Sequence, residues 1–99
     1  MNRPSLLSPG EIATRLESLP GWAFSGGALR RDFVFADFPE AFGFMTRAAF
    51  AAEKLDHHQD WSNVWNRVTV ALSTHDAGGV TDLDFQLAHV MQRLMKKTE

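Results

Sequence analysis

The sequence predicts an α+β fold: a two-layer sandwich with a four-stranded antiparallel sheet covered on one face by helices, in the order α-β-β-α-β-β-α. Three observations predict it. Segments with helically spaced apolar residues and no interior proline stand early, in the middle and at the end of the chain. Between them lie stretches of strict period-two alternation. Glycine-bearing turns of hairpin length, Gly26-Gly27 and Gly78-Gly79, punctuate those stretches, so the strands they join run antiparallel. At 99 residues, 44% of them hydrophobic, the chain fills one core and not two, which predicts a single domain over 1–99.

The first helix opens at Ser8, with Pro9 at the first helical position and Glu11 placed to close a capping box, and Pro20-Gly21 ends it after about Ser18. Trp22 and Phe24 then alternate with smaller residues, and Leu29, Arg31, Phe33 and Phe35 alternate beyond the glycine turn, giving a hairpin. Asp37-Phe38-Pro39-Glu40 begins a second helix that reaches about Leu55. Its apolar residues fall in two stripes, Phe42, Met45, Ala49, Ala52 and Phe44, Ala48, Ala51, Leu55, read as roughly 200° apart at about 100° per residue. A helix this size buries one stripe against its own sheet, so the second predicts a homo-oligomer, a dimer or tetramer built through the helix Phe38 to Leu55.

From Val64 the period becomes two, with Val64, Val68, Val70 and Leu72 on one face and Trp65, Arg67, Thr69 and Ser73 on the other, predicting the longest strand. A turn through Asp76-Ala77-Gly78-Gly79 leads to a short strand near Val80-Thr81. The last helix starts at a Thr81-x-x-Asp84 capping box and buries Leu87, Val90, Met91, Leu94 and Met95. Lys96 and Lys97 face the negative end of its dipole.

Composition narrows the function. With no cysteine there is neither a disulfide framework nor a thiolate metal site, and an oxidising compartment is not required. Met1 to Pro9 lack a basic segment followed by an apolar run, and no apolar run approaches the ~20 residues that cross a bilayer, so a cytoplasmic, non-membrane protein is expected. Ten Lys plus Arg against 12 Asp plus Glu, scattered along the chain, disfavour nucleic acid as a partner. A small molecule is the better fit.

Three of the four histidines lie at element ends: His57 and His58 after the second helix, His75 after the long strand. An imidazole titrates near neutrality, so a convergent group suits general acid and base catalysis. Alone, a His-His pair equally suits a helix end, the neighbouring carboxylates suit solvated caps, and Trp61 suits core or interface packing. His89, beside the apolar stripe of the last helix, reads as structural or exposed. A three-histidine metal centre is disfavoured, because adjacent residues point about 100° apart on a helix and to opposite faces of a strand. No G-x-S-x-G, phosphate-binding glycine loop or dinucleotide fingerprint is present.

Glu53-Lys54-Leu55-Asp56-His57-His58-Gln59-Asp60-Trp61, then Asn63-Val64-Trp65-Asn66, then Ser73-Thr74-His75 and Gly79-Val80-Thr81 with Asp84-Phe85-Gln86-Leu87-Ala88, together resemble the pterin-4a-carbinolamine dehydratase family. The likeness covers roughly residues 8 to 95. Two departures stand out: Gln59 where the family usually has proline, and Trp65 in place of a common tyrosine.

The resemblance implies a dimer or tetramer and a pterin pocket lined by His57, His58 and His75, with Glu53, Asp56, Trp61, Ser73, Thr74 and Asp84 as supporting substrate-binding candidates. It implies loss of water from a 4a-hydroxytetrahydropterin to give quinonoid dihydropterin, recycling the cofactor of an aromatic amino acid hydroxylase. The pterin is then the substrate, with no metal and no resident cofactor. His58 and His75 would flank the hydroxyl as acid and base while His57 orients the substrate. Two alternatives accompany this reading: a dimerisation cofactor for a transcription factor, and a pterin-handling protein in molybdopterin metabolism.

Overall fold

In this computed structural model residues 4–98 are described, the side chains of residues 97 and 98 excepted; the readings made on Met1 to Arg3 and on Lys97 lie outside the described residues. Ser8, in extended backbone (φ −72°, ψ 159°), accepts a hydrogen bond from the Glu11 N–H at 3.1 Å, and Glu11 Oε1 accepts from the Ser8 N–H at 2.9 Å. This reciprocal cap starts α1 (Pro9–Leu16), whose inward residue is Ile12. Gly26 (φ 58°) and Gly27 (φ 78°) then supply two successive left-handed residues, the backbone a two-residue hairpin turn requires. They join β1 (Ala23–Ser25) to β2 (Ala28–Val34).

The third and fourth strands differ from the expectation. The alternation from Val64 to Ser73 is not one strand but the second half of another hairpin, β3 (Asp60–Val64) and β4 (Arg67–Leu72), folded at Trp65-Asn66. Trp65 takes φ 50°, an unusual state for a bulky residue, and Asn63 Nδ2 holds the turn by donating to the carbonyls of Trp65 (3.0 Å) and Arg67 (2.9 Å). Val64 therefore pairs with Arg67 on the open face, while Val68, Val70 and Leu72 face the core. Val80-Thr81 forms no strand: a single bridge joins Thr74 to Gly79, and a 3₁₀ turn, His75–Ala77, fills the loop between them. Among the described residues the sheet still has four strands, in the spatial order β1-β2-β4-β3 with every pairing antiparallel.

α2 (Phe38–Leu55) and α3 (Asp82–Thr98) pack on one another across one face of this sheet. Leu29 and Phe33 of β2 meet Val68, Val70 and Leu72 of β4 beneath them, all fully buried, while Arg30, Asp32, Arg67 and Thr69 point to the open face. Phe33 sits at the centre, 4.7 Å from the Phe44 ring and 5.8 Å from Trp22, edge to face. Phe44, Ala48 and Ala52 seat α2 on the sheet with Ala41; Phe38, Phe42 and Phe50 remain exposed. The two stripes of α2 are thus neighbouring sectors, about 110° apart at about 100° per residue, not opposite sides, and Ala52 belongs to the buried one.

An ion pair ties the start of α3 to α1: Arg15 Nη1 lies 2.6 Å from Asp82 Oδ1, and the Arg15 guanidinium stacks 5.5 Å over Phe85. The Arg15 hydrogen bond, aided by one from Gln86, holds the Asp82 carboxyl below its ordinary pKa, and the Ser8 backbone bond does the same for Glu11. A carboxylate whose folded pKa is lowered stabilises the fold above its unfolded pKa and loses that contribution as pH falls through the folded value. The thermal-unfolding gap between wild type and Arg15→Ala is therefore expected to be constant near neutrality and to narrow as pH falls below about 4, down to what the pH-independent Phe85 contact contributes. A gap that does not narrow at lower pH contradicts the ion pair as its source.

A candidate active site at one end of the sheet

α2 ends because Asp56 takes the left-handed conformation (φ 50°, ψ 46°), its N–H returning to the carbonyls of Ala52 and Glu53. The His57 N–H also bonds to the Ala52 carbonyl, at 3.0 Å. That turn swings the chain back beneath the start of α3, so His57 is buried while His58, one residue on, stays exposed. Glycine is the residue such a position favours, and a β-branched residue the one it resists most. Asp56→Gly is expected to keep the fold within about 1 kcal/mol, whereas Asp56→Val costs about 1–2 kcal/mol, read by chemical denaturation. Equal losses from both would show that backbone conformation is not what limits this position.

Four buried groups meet behind His57. Asp84, with no solvent exposure, stands at the third position of α3; one of its oxygens is 2.5 Å from His57 Nε2. The other accepts from the Thr81 N–H at 2.8 Å and from the Thr74 hydroxyl at 2.9 Å. The Thr74 and Thr81 hydroxyl oxygens are 2.6 Å apart, and Thr81 Oγ1 accepts from the Leu83 N–H at 3.3 Å. No buried side-chain nitrogen or oxygen among the described residues lacks a partner. Of the expected Thr81–Asp84 capping box the carboxylate half forms, while the Thr81 hydroxyl takes the Leu83 N–H and the Asp84 N–H goes to the Thr81 carbonyl at 3.2 Å. The carboxylate serves two elements, starting α3 and gripping the histidine at the end of α2.

Facing a carboxylate, His57 Nε2 can only donate. The proton on Nε2 leaves Nδ1 as the nitrogen able to give or take a proton elsewhere; it makes no hydrogen bond among the described residues and, since no fully buried side-chain nitrogen there lacks a partner, it keeps some access to solvent. His57 lines a cavity of about 710 Å³, and so do His58 and His75. Thr74 forms part of the wall, pinned by its N–H to the Gly79 carbonyl at 2.7 Å. Ser73 and Asp56 complete the set of anticipated residues there. Pro4, Leu55, Asp76, Ala77 and Leu83 also line it, and the sequence reading had not singled them out as site residues.

Three anticipated residues stand elsewhere. Asp84, fully buried and bonded to His57, does not line the cavity. Glu53 is exposed on α2, outside the lining. Trp61 is half-buried on β3, cross-strand from Val70 and packed on the core, because odd positions of β3 face the helices. The sequence marks Thr81 as a helix cap and not as a site residue. The signal was present, since the same Thr-x-x-Asp pair that caps α3 carries the second carboxylate oxygen that reaches His57.

The sequence profile of the family described as Pterin 4 alpha carbinolamine dehydratase matches residues 5–94. A protein from Rhizobium johnstonii, provisionally named a pterin-4-alpha-carbinolamine dehydratase, is 55% identical over 84 residues, which is 83% of this chain and 83% of that protein. One of the same provisional name from Bradyrhizobium diazoefficiens is 56% identical over 85 residues, 84% of this chain and 85% of its own. The crystal structure of a transcriptional coactivator/pterin dehydratase from Brucella melitensis superposes with a TM-score of 0.88 at 46% identity, covering 95% of this chain and 99% of that one. By profile, by identity over most of its length and by fold, this chain belongs to the pterin 4 alpha carbinolamine dehydratase family.

Proposed function

We propose that this chain dehydrates a 4a-hydroxytetrahydropterin to quinonoid dihydropterin and water by histidine acid–base catalysis. The observation that carries the reading is the buried Asp84 carboxylate gripping His57 at the wall of a cavity that His58 and His75 also line. The substrate bears a hydroxyl on C4a and a hydrogen on N5. Breaking the C4a–O bond needs a proton on the departing oxygen, and the C4a=N5 bond that replaces it needs the N5 proton removed. One acid and one base suffice, and their protons balance the release of water.

Asp84 suits His57 to the base role, because a fixed carboxylate on Nε2–H stabilises the imidazolium formed when Nδ1 takes a proton. His58 and His75, exposed at the same cavity, then protonate the leaving oxygen and exchange that proton with solvent. This assignment differs from the one made on sequence, which gives acid and base to His58 and His75 and has His57 bind or orient the substrate. The pterin enters as substrate and not as a resident group. Recycling for an aromatic amino acid hydroxylase in the cytoplasm, with a tetrahydrobiopterin-type carbinolamine as substrate, belongs to the same proposal. No helix among the described residues is long and apolar enough to cross a membrane. Purified protein is expected to accelerate quinonoid product formation from an enzymatically generated carbinolamine; a rate no faster than the spontaneous one would overturn the reading.

The exposed Phe38, Phe42 and Phe50 of α2 support self-association, with the Phe38 and Phe42 rings in contact, tilted at 43° and 5.5 Å apart. Phe42→Asp is expected to lower the light-scattering mass of the assembly. A wild-type mass of one 11.1 kDa chain at micromolar concentration would contradict it. The same face supports a second reading, a protein-interaction role of the kind named in the Brucella melitensis structure. Capture of a transcription factor by protein lacking dehydratase activity would favour that alternative.

A further inference from the structure

We propose that Thr81 is a positioning residue for His57, because its hydroxyl begins a one-way chain of buried hydrogen bonds that ends on the histidine's partner carboxylate. The inference rests on the catalytic reading above for its effect on turnover, but not for its effect on the ring. The direction of each bond follows from the chemistry of its neighbours. Asp84 can only accept from a hydroxyl, so Thr74 must give its single hydroxyl proton to Asp84, 2.9 Å away. Thr74 Oγ1 therefore has no proton left for Thr81, and across their 2.6 Å contact Thr81 must be the donor. Thr81 in turn accepts from the Leu83 N–H.

Protons thus point from the start of α3 through Thr81 and Thr74 to Asp84, which also receives the Thr81 N–H and the His57 Nε2–H. Thr81 and Asp84 have no solvent exposure, and Thr74 and His57 are buried apart from the part that lines the cavity, so water competes little for these bonds. With every orientation determined, His57 has one arrangement: Nε2–H on Asp84 and Nδ1 left for the cavity. The Thr81 hydroxyl enforces that arrangement from two hydrogen bonds behind the Asp84 carboxylate, three from His57, and without lining the cavity.

Imidazole ¹⁵N and proton spectra of the full chain, with no ligand added, test the claim directly. Wild type is expected to show one slowly exchanging Nε2–H on His57. Thr81→Val removes the hydroxyl at nearly constant volume and is expected to broaden or shift that signal, while Thr81→Ser restores it. Asp82→Ala is the control, since it weakens the start of α3 through the Arg15 pair without touching the chain of hydroxyls. If Thr81→Val leaves the His57 signals as in wild type, or if Asp82→Ala reproduces its change, the proposal falls. Thr74→Val breaks the same chain one bond closer to Asp84 while sparing the Thr81 cap, so it gives the answer even where Thr81→Val fails to fold.

In turnover, Thr81→Val is expected to lower kcat about tenfold with KM little changed, as loss of an outer partner of a functional histidine commonly does. Should wild-type protein lack dehydratase activity while the spectra behave as expected, the functional reading fails and the positioning of His57 stands.

Discussion

Asp84→Asn is expected to fold and to lose dehydratase turnover by about 10²–10⁴, the range seen when the carboxylate behind a catalytic histidine becomes an amide. The amide oxygen still accepts from the Thr81 N–H and the Thr74 hydroxyl, so the cap of α3 survives. Its NH₂ then faces His57 Nε2 at the position where the carboxylate oxygen lay 2.5 Å away. Two donors cannot share that contact, so the ring must move its proton to Nδ1, and the cavity then meets an N–H where it had a lone pair. Asp84→Ala removes the acceptor altogether and leaves three buried donors without a partner. At about 1–3 kcal/mol for an orphaned buried group, incompletely additive, a loss of about 3–5 kcal/mol is expected, enough to unfold a domain of this size at modest temperature. Denaturant midpoints and turnover on both variants check the pair of outcomes. An Asn variant of wild-type activity would show that His57 does not depend on its carboxylate.

His57→Ala is the second large effect. Loss of the proposed base is expected to lower kcat by about 10²–10⁴. His58→Ala and His75→Ala, which share the acid role at an exposed rim, are each expected to cost less, about 10–10². That ordering separates the structural assignment from the sequence-based one, which placed acid and base at His58 and His75. If His57→Ala were the mildest of the three, the sequence-based assignment would be restored. Stability gives a further contrast. His57 is buried on Asp84, so its alanine variant should unfold more easily, whereas His58 and His75 are exposed and their variants should not.

Much of this molecule was legible because its signals are local. Ser8, Pro9 and Glu11 cap α1 within four residues, and Gly26-Gly27 turn the first hairpin through backbone states that side chains resist. The second hairpin was hidden for a physical reason. Its turn rests on Trp65 at positive φ and on Asn63 reaching two carbonyls, and neither carries the glycine that marks such a turn. Period two also runs through a two-residue turn unbroken, so Val64 read as continuous with Val68 although the two face opposite sides of the sheet.

The site divides along the same line. Residue types and their placement at element ends brought His57, His58 and His75 to attention, and the structure brings all three to one cavity. What separates the gripped histidine from the two at the rim is burial and a partner 27 residues away, a long-range relation that periodicity does not encode. Asp84 was therefore grouped with ligand-binding residues, and Thr81 was seen for its backbone role alone.

A crystal structure of the full chain with a non-reactive dihydropterin tests the central claim most directly. The account predicts the bicyclic ring within the cavity of about 710 Å³, with His57 Nδ1 in hydrogen-bonding reach of N5 and His58 and His75 near C4a. A pterin seated on another surface, or one whose N5 faces none of the three imidazoles, would contradict it.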